Sequence, residues 1–305
     1  MLLFDIFYTI IAPVFVLIAV GYLLEKKNRF DITVLTKILL YLIMPATILT
    51  TLSSSSLSPA YMRTTVIFCL LMIGALYVLS TVVSLILRHN RGMKQAFSLS
   101  VMFYNSGNFG FAASDLAFPG LGLAVQAIIL ATQNIINFTV GVFLVSAGRF
   151  PVREAIKTTL AMPFLYALFI ALLMRTYNFV LPPIAALPLH YLSQALVPMA
   201  LLALGIQLGK TRIRSGLRHT VASVICRLLV APVIGLTLVW LLEIDAAIAP
   251  ILVCSTSYPT AINTALIAME LKNEEEFAAN AVFLSTILSA LTVGLVLFGT
   301  RALWG

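Results

Sequence analysis

Long apolar runs, separated by short polar connections, alternate along the whole chain. A helix needs about 20 predominantly apolar residues to cross the hydrocarbon core of a bilayer. Runs of roughly this length lie at 4–24, 32–52, 61–87, 96–118, 121–148, 156–176, 187–208, 219–241, 246–269 and 277–300. The pattern predicts an all-α integral membrane protein with ten transmembrane helices, whose short connections leave no space for a soluble catalytic domain.

Composition supports this class and excludes others. Of the 305 residues, 61% are hydrophobic and only 10% are charged, whereas a soluble domain carries about a quarter charged residues. The formal net charge of +8 would suggest nucleic acid in a soluble protein. Here the basic residues lie in short loops between apolar runs, so we expect a lipid bilayer and no nucleic acid as partner.

The distribution of the basic residues predicts how the helices are oriented. With ten spans, almost all of the 19 Lys and Arg fall in loops on one side, while Arg63, Arg175 and Arg301 fall on the other. Cytoplasmic loops carry the excess of basic residues. We therefore expect a multi-pass protein of the cytoplasmic (inner) membrane with both termini on the non-cytoplasmic side. The first run has no basic residue before it and is expected to be a span, not a signal peptide.

An internal duplication is visible when the chain is shifted by about 150–155 residues. Pro13 then meets Pro163 near the start of a span, and further landmarks match in the same order. Each half has five spans, an odd number, so the second half must enter the membrane inverted. The chain is thus predicted to consist of two inverted five-helix repeats, 1–150 and 151–305. Such repeats are typical of secondary transporters.

The fourth and ninth runs are both interrupted at their centres. Asn105, Gly107 and Asn108 interrupt the fourth run, and Pro259 and Asn263 interrupt the ninth. These residues are poor helix formers, and each break exposes a helix N-terminus that favours an anion. Paired interruptions at equivalent positions of the two halves are the best sequence indication of a transporter's binding site.

Further polar groups at similar depth extend the candidate binding site. The hydroxyls of Ser257 and Thr260 flank the second break. A polar stripe follows one face of the fifth run, and Gln133 and Asn137 lie deepest in it. Such a stripe lines a cavity or joins helices, and the sequence leaves both alternatives open.

Two charged residues lie well inside spans, where ionisable groups are functional candidates by default. Their depths differ too much for a direct ion pair between Asp115 and Arg227. Arg227 is expected near the breaks as counter-charge to an anion, with snorkelling toward the interface as the alternative. Asp115 is expected to carry a coupling proton, with a hydrated residue near the outer interface as the alternative.

No catalytic or metal-binding pattern accompanies these features. HExxH, GxSxG and Walker motifs are absent, and the three cysteines lie inside apolar runs without metal-ligand spacing. We therefore expect no cofactor, no metal and no enzyme. A channel is disfavoured because a continuous polar pore is lacking, and an intramembrane hydrolase because no histidine lies at depth.

The segments GNFGF (107–111) and SYPTAINTALIAMELKNEEEFAANAVFLSTILSALTV (257–293) resemble signatures of the auxin efflux carrier family. The resemblance implies a fold shared with bile-acid sodium symporters and a homodimer formed by scaffold spans 1, 2, 6 and 7. Spans 3–5 and 8–10 would form a moving transport domain in which broken spans 4 and 9 cross. The family's crossover positions correspond here to Asn105, Gly107, Asn108, Pro259 and Asn263.

The resulting hypothesis is a secondary active transporter of a small organic anion, a carboxylate or auxin-like weak acid, with an elevator-type mechanism. One alternative is a sodium-coupled organic-acid symporter of the bile-acid type, and another is a membrane substrate sensor that does not transport. The sequence departs from many family members at 113–115, where Ala-Ser-Asp replaces Gly-x-Pro. The substrate, its direction and the coupling ion stay open.

Overall fold

The structure is a computed structural model that describes residues 3–141, 143, 153, 157, 160–211, 217–270 and 272–305. The described residues form helices and no strand, apart from an isolated backbone bridge between Tyr104 and Thr260. Helical segments that continue into one another share one label here. In the described part these are α1 Leu3–Asn28, α2 Ile32–Ser54, α3 Pro59–Ile86, α4 Arg91–Met102, α5 Asn108–Ala117, α6 Gly122–Gly141, α7 Pro163–Thr176, α8 Pro183–Lys210, α9 Leu217–Leu241, α10 Ala249–Ser255, α11 Ile262–Glu270 and α12 Glu275–Trp304.

Seven of the described helices are long and apolar enough to cross a membrane: α1, α2, α3, α6, α8, α9 and α12. The chain is therefore a multi-pass, all-helical membrane protein. The fourth predicted span appears as the pair α4 and α5, and the ninth as the pair α10 and α11, so both predicted interruptions are present. The sixth appears as the shorter α7, and the first part of that predicted span lies outside the described residues. The ten-span inverted repeat stays a prediction.

Three of the prolines inside the long helices are accommodated by wide turns. A proline has no backbone N–H, and its ring collides with the carbonyl of the preceding turn. Pro13, Pro45 and Pro232 each follow a five-residue π-helical turn, which widens the helix before the proline. The helices therefore continue through these positions, unlike α4 and α10, which end at the central breaks.

Close helix packing holds together the spans that are expected to form the scaffold. Gly21 of α1 faces Gly205 of α8, and a Cβ at either position would collide with carbonyl oxygens of the opposite helix. Backbone therefore touches backbone at this contact. α2 likewise packs on α7. In two five-span repeats, predicted spans 1 and 2 correspond to spans 6 and 7. The contact of span 1 (α1) with span 7 (α8) is then equivalent to the contact of span 2 (α2) with span 6 (α7).

Several connections meet at one end of the helix bundle. Lys210 donates to the carbonyl of Phe30, and His89 Nε2 lies 2.9 Å from His219 Nδ1. Asn273 Nδ2 lies 3.4 Å from the carbonyl oxygen of Gly92. These connections carry most of the basic residues of the chain, as the predicted loop topology requires.

Candidate functional site

The two helix breaks meet and pair through their backbones. The amide of Asn105 donates to the carbonyl of Pro259 at 2.7 Å, and the amide of Ala261 donates to the carbonyl of Phe103 at 2.9 Å. We call these two paired segments, 103–107 and 256–261, the crossover. Unwound backbone is tolerated at membrane depth only where protein or a cavity satisfies its polar groups. The pairing supplies hydrogen-bond partners for some of the backbone amide and carbonyl groups that the breaks leave without helical partners.

Two tyrosines connect each segment of the crossover to a helix of the other interrupted run. Tyr104 contacts Ser255 at the end of α10, with 3.2 Å between the hydroxyl oxygens, and Tyr258 contacts Ser114 of α5 at 3.0 Å. The two rings meet edge to face with centroids 6.1 Å apart. Our sequence reasoning missed both residues. A signal existed, because each tyrosine directly precedes a predicted crossover position, Asn105 or Pro259.

Some predicted site residues serve the crossover itself. Thr260 donates from its amide to Ser285 Oγ and from its hydroxyl to the carbonyl of Ser100, both at 3.0 Å. Ser257 Oγ donates to the carbonyl of Cys254 at 2.6 Å. Thr260 and the carbonyl of Pro259 connect the crossover to other segments, and Ser257, Pro259 and Thr260 do not line the adjacent cavity.

A cavity of about 460 Å³ lies between the crossover, α6, α2 and α8. Six of the predicted substrate-binding residues line it: Asn105, Gly107, Asn108, Gln133, Asn137 and Asn263. The polar stripe of the fifth run therefore faces a cavity at these positions. The structure brings residues of both interrupted runs and of that stripe to one place, as an anion site built from them requires.

Three buried amide side chains facing this cavity have an atom without a hydrogen-bond partner. These atoms are Asn105 Nδ2, Gln133 Nε2 and Asn137 Oδ1, and each residue is at most 5% exposed. Buried polar side chains in folded proteins nearly always have a partner. The three open positions offer two donors and one acceptor to a ligand.

Asn105 also explains how α5 begins. Its Oδ1 accepts from the amide of Asn108 at 3.1 Å and of Phe109 at 3.4 Å, which caps the N-terminus of α5. The same contact turns the amino group of this side chain away from α5. The capping bond also polarises the amide group, which strengthens Nδ2 as a donor.

Other residues of the cavity escaped our sequence reasoning. Lys37 is the charged residue among the described lining residues, and Thr33 and Thr36 lie on the same face of α2. Their spacing of three and four residues at the start of an apolar run was the available signal. Lys37 was interpreted only as a topology residue. Asn134 lies beside Asn263, with 3.5 Å between Nδ2 of Asn263 and Oδ1 of Asn134.

Arg227 of α9 lies against the crossover and not at the cavity. It is fully buried, donates from Nη1 to the carbonyl of Val101 at 2.7 Å and from Nη2 to the carbonyl of Thr256, and its guanidinium carbon lies 5.1 Å from the ring centroid of Tyr104. It neither lines the cavity nor snorkels to an interface. Its partners are backbone carbonyls and not Asp115, in agreement with the depth argument.

Asp115 lies in a different place. It is exposed to a second cavity of about 640 Å³, which is also lined by Thr50, Ser54 and His190. This cavity shares no lining residue with the cavity at the crossover. Asp115 therefore has no direct contact with the candidate binding residues.

An all-helical protein with several spanning helices and a polar cavity where two broken helices meet has the construction of a membrane transporter. A family model described as "Membrane transport protein" matches residues 149–297. An uncharacterized transporter of Methanocaldococcus jannaschii is 25% identical over 97% of this chain and 97% of its own length. An uncharacterized transporter of Methanothermobacter thermautotrophicus is 25% identical over 93% of this chain and 95% of its own. These matches support a transporter and confirm the resemblance to the auxin efflux carrier family.

Proposed function

We propose that this protein is a secondary active transporter of a small organic anion, a carboxylate or auxin-like weak acid, across the cytoplasmic membrane. One observation carries the proposal: buried, unpartnered amide groups of Asn105, Gln133 and Asn137 face one cavity between two broken helices. A membrane protein gains nothing in stability from such groups. Other buried polar atoms without a partner, such as those of Asn280, do not line this cavity. A ligand that completes the hydrogen bonds of the three convergent groups would account for their position.

The charge distribution around the cavity favours an anion. The N-terminal ends of α5, at Asn108, and of α11, at Ile262, both lie at the cavity. Each helix N-terminus carries roughly half a positive charge and amide groups that donate to anions. Lys37 adds a full positive charge at the exposed start of α2. A carboxylate that accepts from Asn105 Nδ2 and Gln133 Nε2 would lie between these positive groups.

The position of the cavity supports an elevator-type movement. On one side it is bounded by the crossover, which is bonded to α9 through Arg227 and to α12 through Ser285. On the other side it is bounded by α2 and α8, which belong to the proposed scaffold. A ligand bound at the crossover would move with the bonded helices as they slide along α2 and α8.

Ligand-induced stabilisation of the purified protein tests the proposed site. We would measure the shift in unfolding temperature with acetate, lactate, benzoate, phenylacetate and malonate, since a ligand that binds the native state raises its stability. Asn105→Asp keeps the oxygen that caps α5 and replaces the amino donor by an acceptor. We expect this variant to remain folded and to lose the shift.

Asn90→Asp is the matched control. Asn90 caps α4 by accepting from the amide of Met93 at 2.8 Å, and it is exposed and remote from the cavity lining. The shift should survive in this variant. Absence of any shift in the wild type with all five compounds, or an unchanged shift in Asn105→Asp, would contradict the proposal.

Coupling to protons through Asp115 belongs to the same proposal. An anion that enters a negative cell moves uphill by about 2.3 kcal/mol per charge and 100 mV, so import needs a co-transported cation. No cluster of three or more Asp, Glu, His or Cys that could hold a metal ion lies among the described residues. Asp115→Asn should lose accumulation driven by a pH gradient and retain exchange. Uptake driven by a sodium gradient would instead favour the bile-acid type of symporter.

The proposed orientation places both termini outside and joins two copies through the scaffold helices. Cysteine labels at Asn90 and Asn273, whose loops lie at one end of the bundle, should react only from the cytoplasm. A label at Ser55 should react only from outside. A predicted third cytoplasmic position, Ser215, lies outside the described residues. Crosslinking between scaffold helices of two copies tests the homodimer.

A further inference from the structure

The two carbonyl groups that Arg227 binds are made available by the breaks themselves. In an unbroken helix the carbonyl of Val101 would accept from the amide of Asn105, but that amide donates to Pro259. The carbonyl of Thr256 would accept from the amide of Thr260, which donates to Ser285. Arg227 donates to both carbonyls and so closes the C-terminal ends of α4 and α10 with one guanidinium group.

The buried charge of Arg227 is compensated by helix ends and not by a carboxylate. Its hydrogen-bond partners are two carbonyls, and the ring of Tyr104 lies next to it. A helix C-terminus carries roughly half a negative charge, and the N-terminus roughly half a positive one. The guanidinium thus neutralises about two half-charges at the C-terminal ends. The two positive N-terminal ends, of α5 and α11, are left facing the cavity.

We propose that Arg227 sets the charge of the moving part of the binding site, so that the crossover presents about one net positive charge to the cavity and is matched to a single carboxylate of the substrate. Lys37 lies at the exposed start of α2, on the proposed scaffold, and its charge does not move with the crossover. The inference rests on the proposed function and deepens it, because it names the substrate class as a monoanion. Arg227 is a positioning residue in this scheme, since Tyr104 and the helix ends separate it from the ligand. The charge travels with the crossover during transport.

Voltage dependence of exchange in proteoliposomes tests the proposal. We would compare radiolabelled benzoate, a monoanion, with malonate, a dianion, at zero and at about 100 mV of imposed potential. Arg227→Gln retains an amide donor for a carbonyl and removes the charge, whereas Arg227→Lys retains the charge. Asp115 is the same in all proteins, so differences report on Arg227. A merely structural residue would alter rates without altering their voltage dependence.

We expect benzoate exchange by Arg227→Gln to have the voltage dependence of malonate exchange by the wild type, because both move one additional negative charge. The difference from wild-type benzoate exchange is about sevenfold per 100 mV if the charge crosses half the field at the barrier. Arg227→Lys retains the charge and should keep the voltage dependence of wild-type benzoate exchange, whatever its rate. Equal voltage dependence of benzoate exchange in Arg227→Gln and the wild type would overturn the proposal.

The wild type alone provides a second arm if Arg227→Gln does not fold. Malonate should then exchange with a stronger voltage dependence than benzoate, or should not exchange at all. Malonate exchange as independent of voltage as benzoate exchange would overturn the inference while leaving the proposed transport function intact. A wild type that transports neither of these compounds nor acetate, lactate or phenylacetate would remove the proposed function itself, together with this inference.

Discussion

Two glutamines on one helix, seven residues apart, show the difference between the packed side of the crossover and its cavity side. Gln126 and Gln133 both lie on α6 and are 0% and 2% exposed. Gln126 donates from Nε2 to the carbonyl of Ser106 at 2.6 Å and accepts from Ser114 at 3.2 Å. Gln133 Nε2 makes no hydrogen bond of normal geometry to a described residue, although the side chain lies near the hydroxyl of Tyr104, and it faces the cavity. Residue type, helix and burial are equal, so hydrogen-bond satisfaction distinguishes the structural residue from the proposed binding residue.

The largest effect on stability is expected on the packed side. Gln126→Leu leaves the carbonyl of Ser106 and the hydroxyl of Ser114 without their present partner. Ser114 keeps its contact with Tyr258, so the carbonyl of Ser106 is the group left unpaired. One buried unpaired group costs about 1–3 kcal/mol, and we expect the free energy of unfolding to fall by about 2 kcal/mol. Unfolding in mixed micelles measures it. A loss below about 0.5 kcal/mol would mean that the contacts of Gln126 contribute nothing.

The same substitution on the cavity side should change binding and not stability. Gln133→Leu removes an amino group that has no partner, so the free energy of unfolding should change by less than about 0.5 kcal/mol. The affinity for a carboxylate should fall about tenfold, because a hydrogen bond to a charged group is lost. Titration of benzoate against both glutamine variants checks this. Equal stability losses in the two variants would remove the distinction between the two sides.

A smaller effect is expected for a hydroxyl of the crossover. Thr260→Val preserves the shape of the side chain and removes the donor to the carbonyl of Ser100, which should cost about 1 kcal/mol. Thr237→Val is the matched control, because Thr237 donates to the carbonyl of Val233 on an exposed helix face. Thermal unfolding should separate the two variants by a few degrees. A Thr237 variant that is destabilised as much would contradict a special role of the crossover.

The smallest effect is expected outside both regions, at His89. Burial, and then the neighbouring His219, lower the pKa of His89 from its usual value of 6.5. Because the unfolded chain takes up the proton first, stability is fully present above the unfolded pKa and is lost as the pH falls below it. His89→Gln should therefore reduce the drop in unfolding temperature between pH values of about 7.5 and 5.5. His190→Gln, on exposed helix surface, should leave that drop unchanged.

Much of the site could be predicted from local sequence signals. The Asn and Gly residues at the centre of the fourth run, and Pro259 with its polar neighbours in the ninth, are poor helix formers, so Asn105 and Asn263 were found without a structure. The polar periodicity of the fifth run indicated Gln133 and Asn137. These signals are local because helix propensity and side-chain periodicity are properties of consecutive residues.

The partners of these residues could not be predicted in the same way. Gln126 and Gln133 belong to the same polar stripe, and in the sequence only their depth distinguishes them. The approach of Ser106 and Ser114 is what makes Gln126 a structural residue. Arg227 was expected beside an anion. Instead, backbone amides at the two breaks bond to other partners, and Arg227 binds the carbonyls that these amides leave free. Such partners come from segments far apart in the chain, and a single sequence contains no signal for which of them meet.

The most direct test of the central claim is the location of a bound carboxylate. A structure of the protein with 4-bromobenzoate, in which anomalous scattering locates the bromine, identifies the occupied cavity. We expect the carboxylate within hydrogen-bond distance of Asn105 Nδ2 and Gln133 Nε2, with the ring directed along the cavity toward Lys37. A carboxylate bound in the other cavity, beside Asp115 and His190, with the crossover cavity empty, would contradict the proposed site.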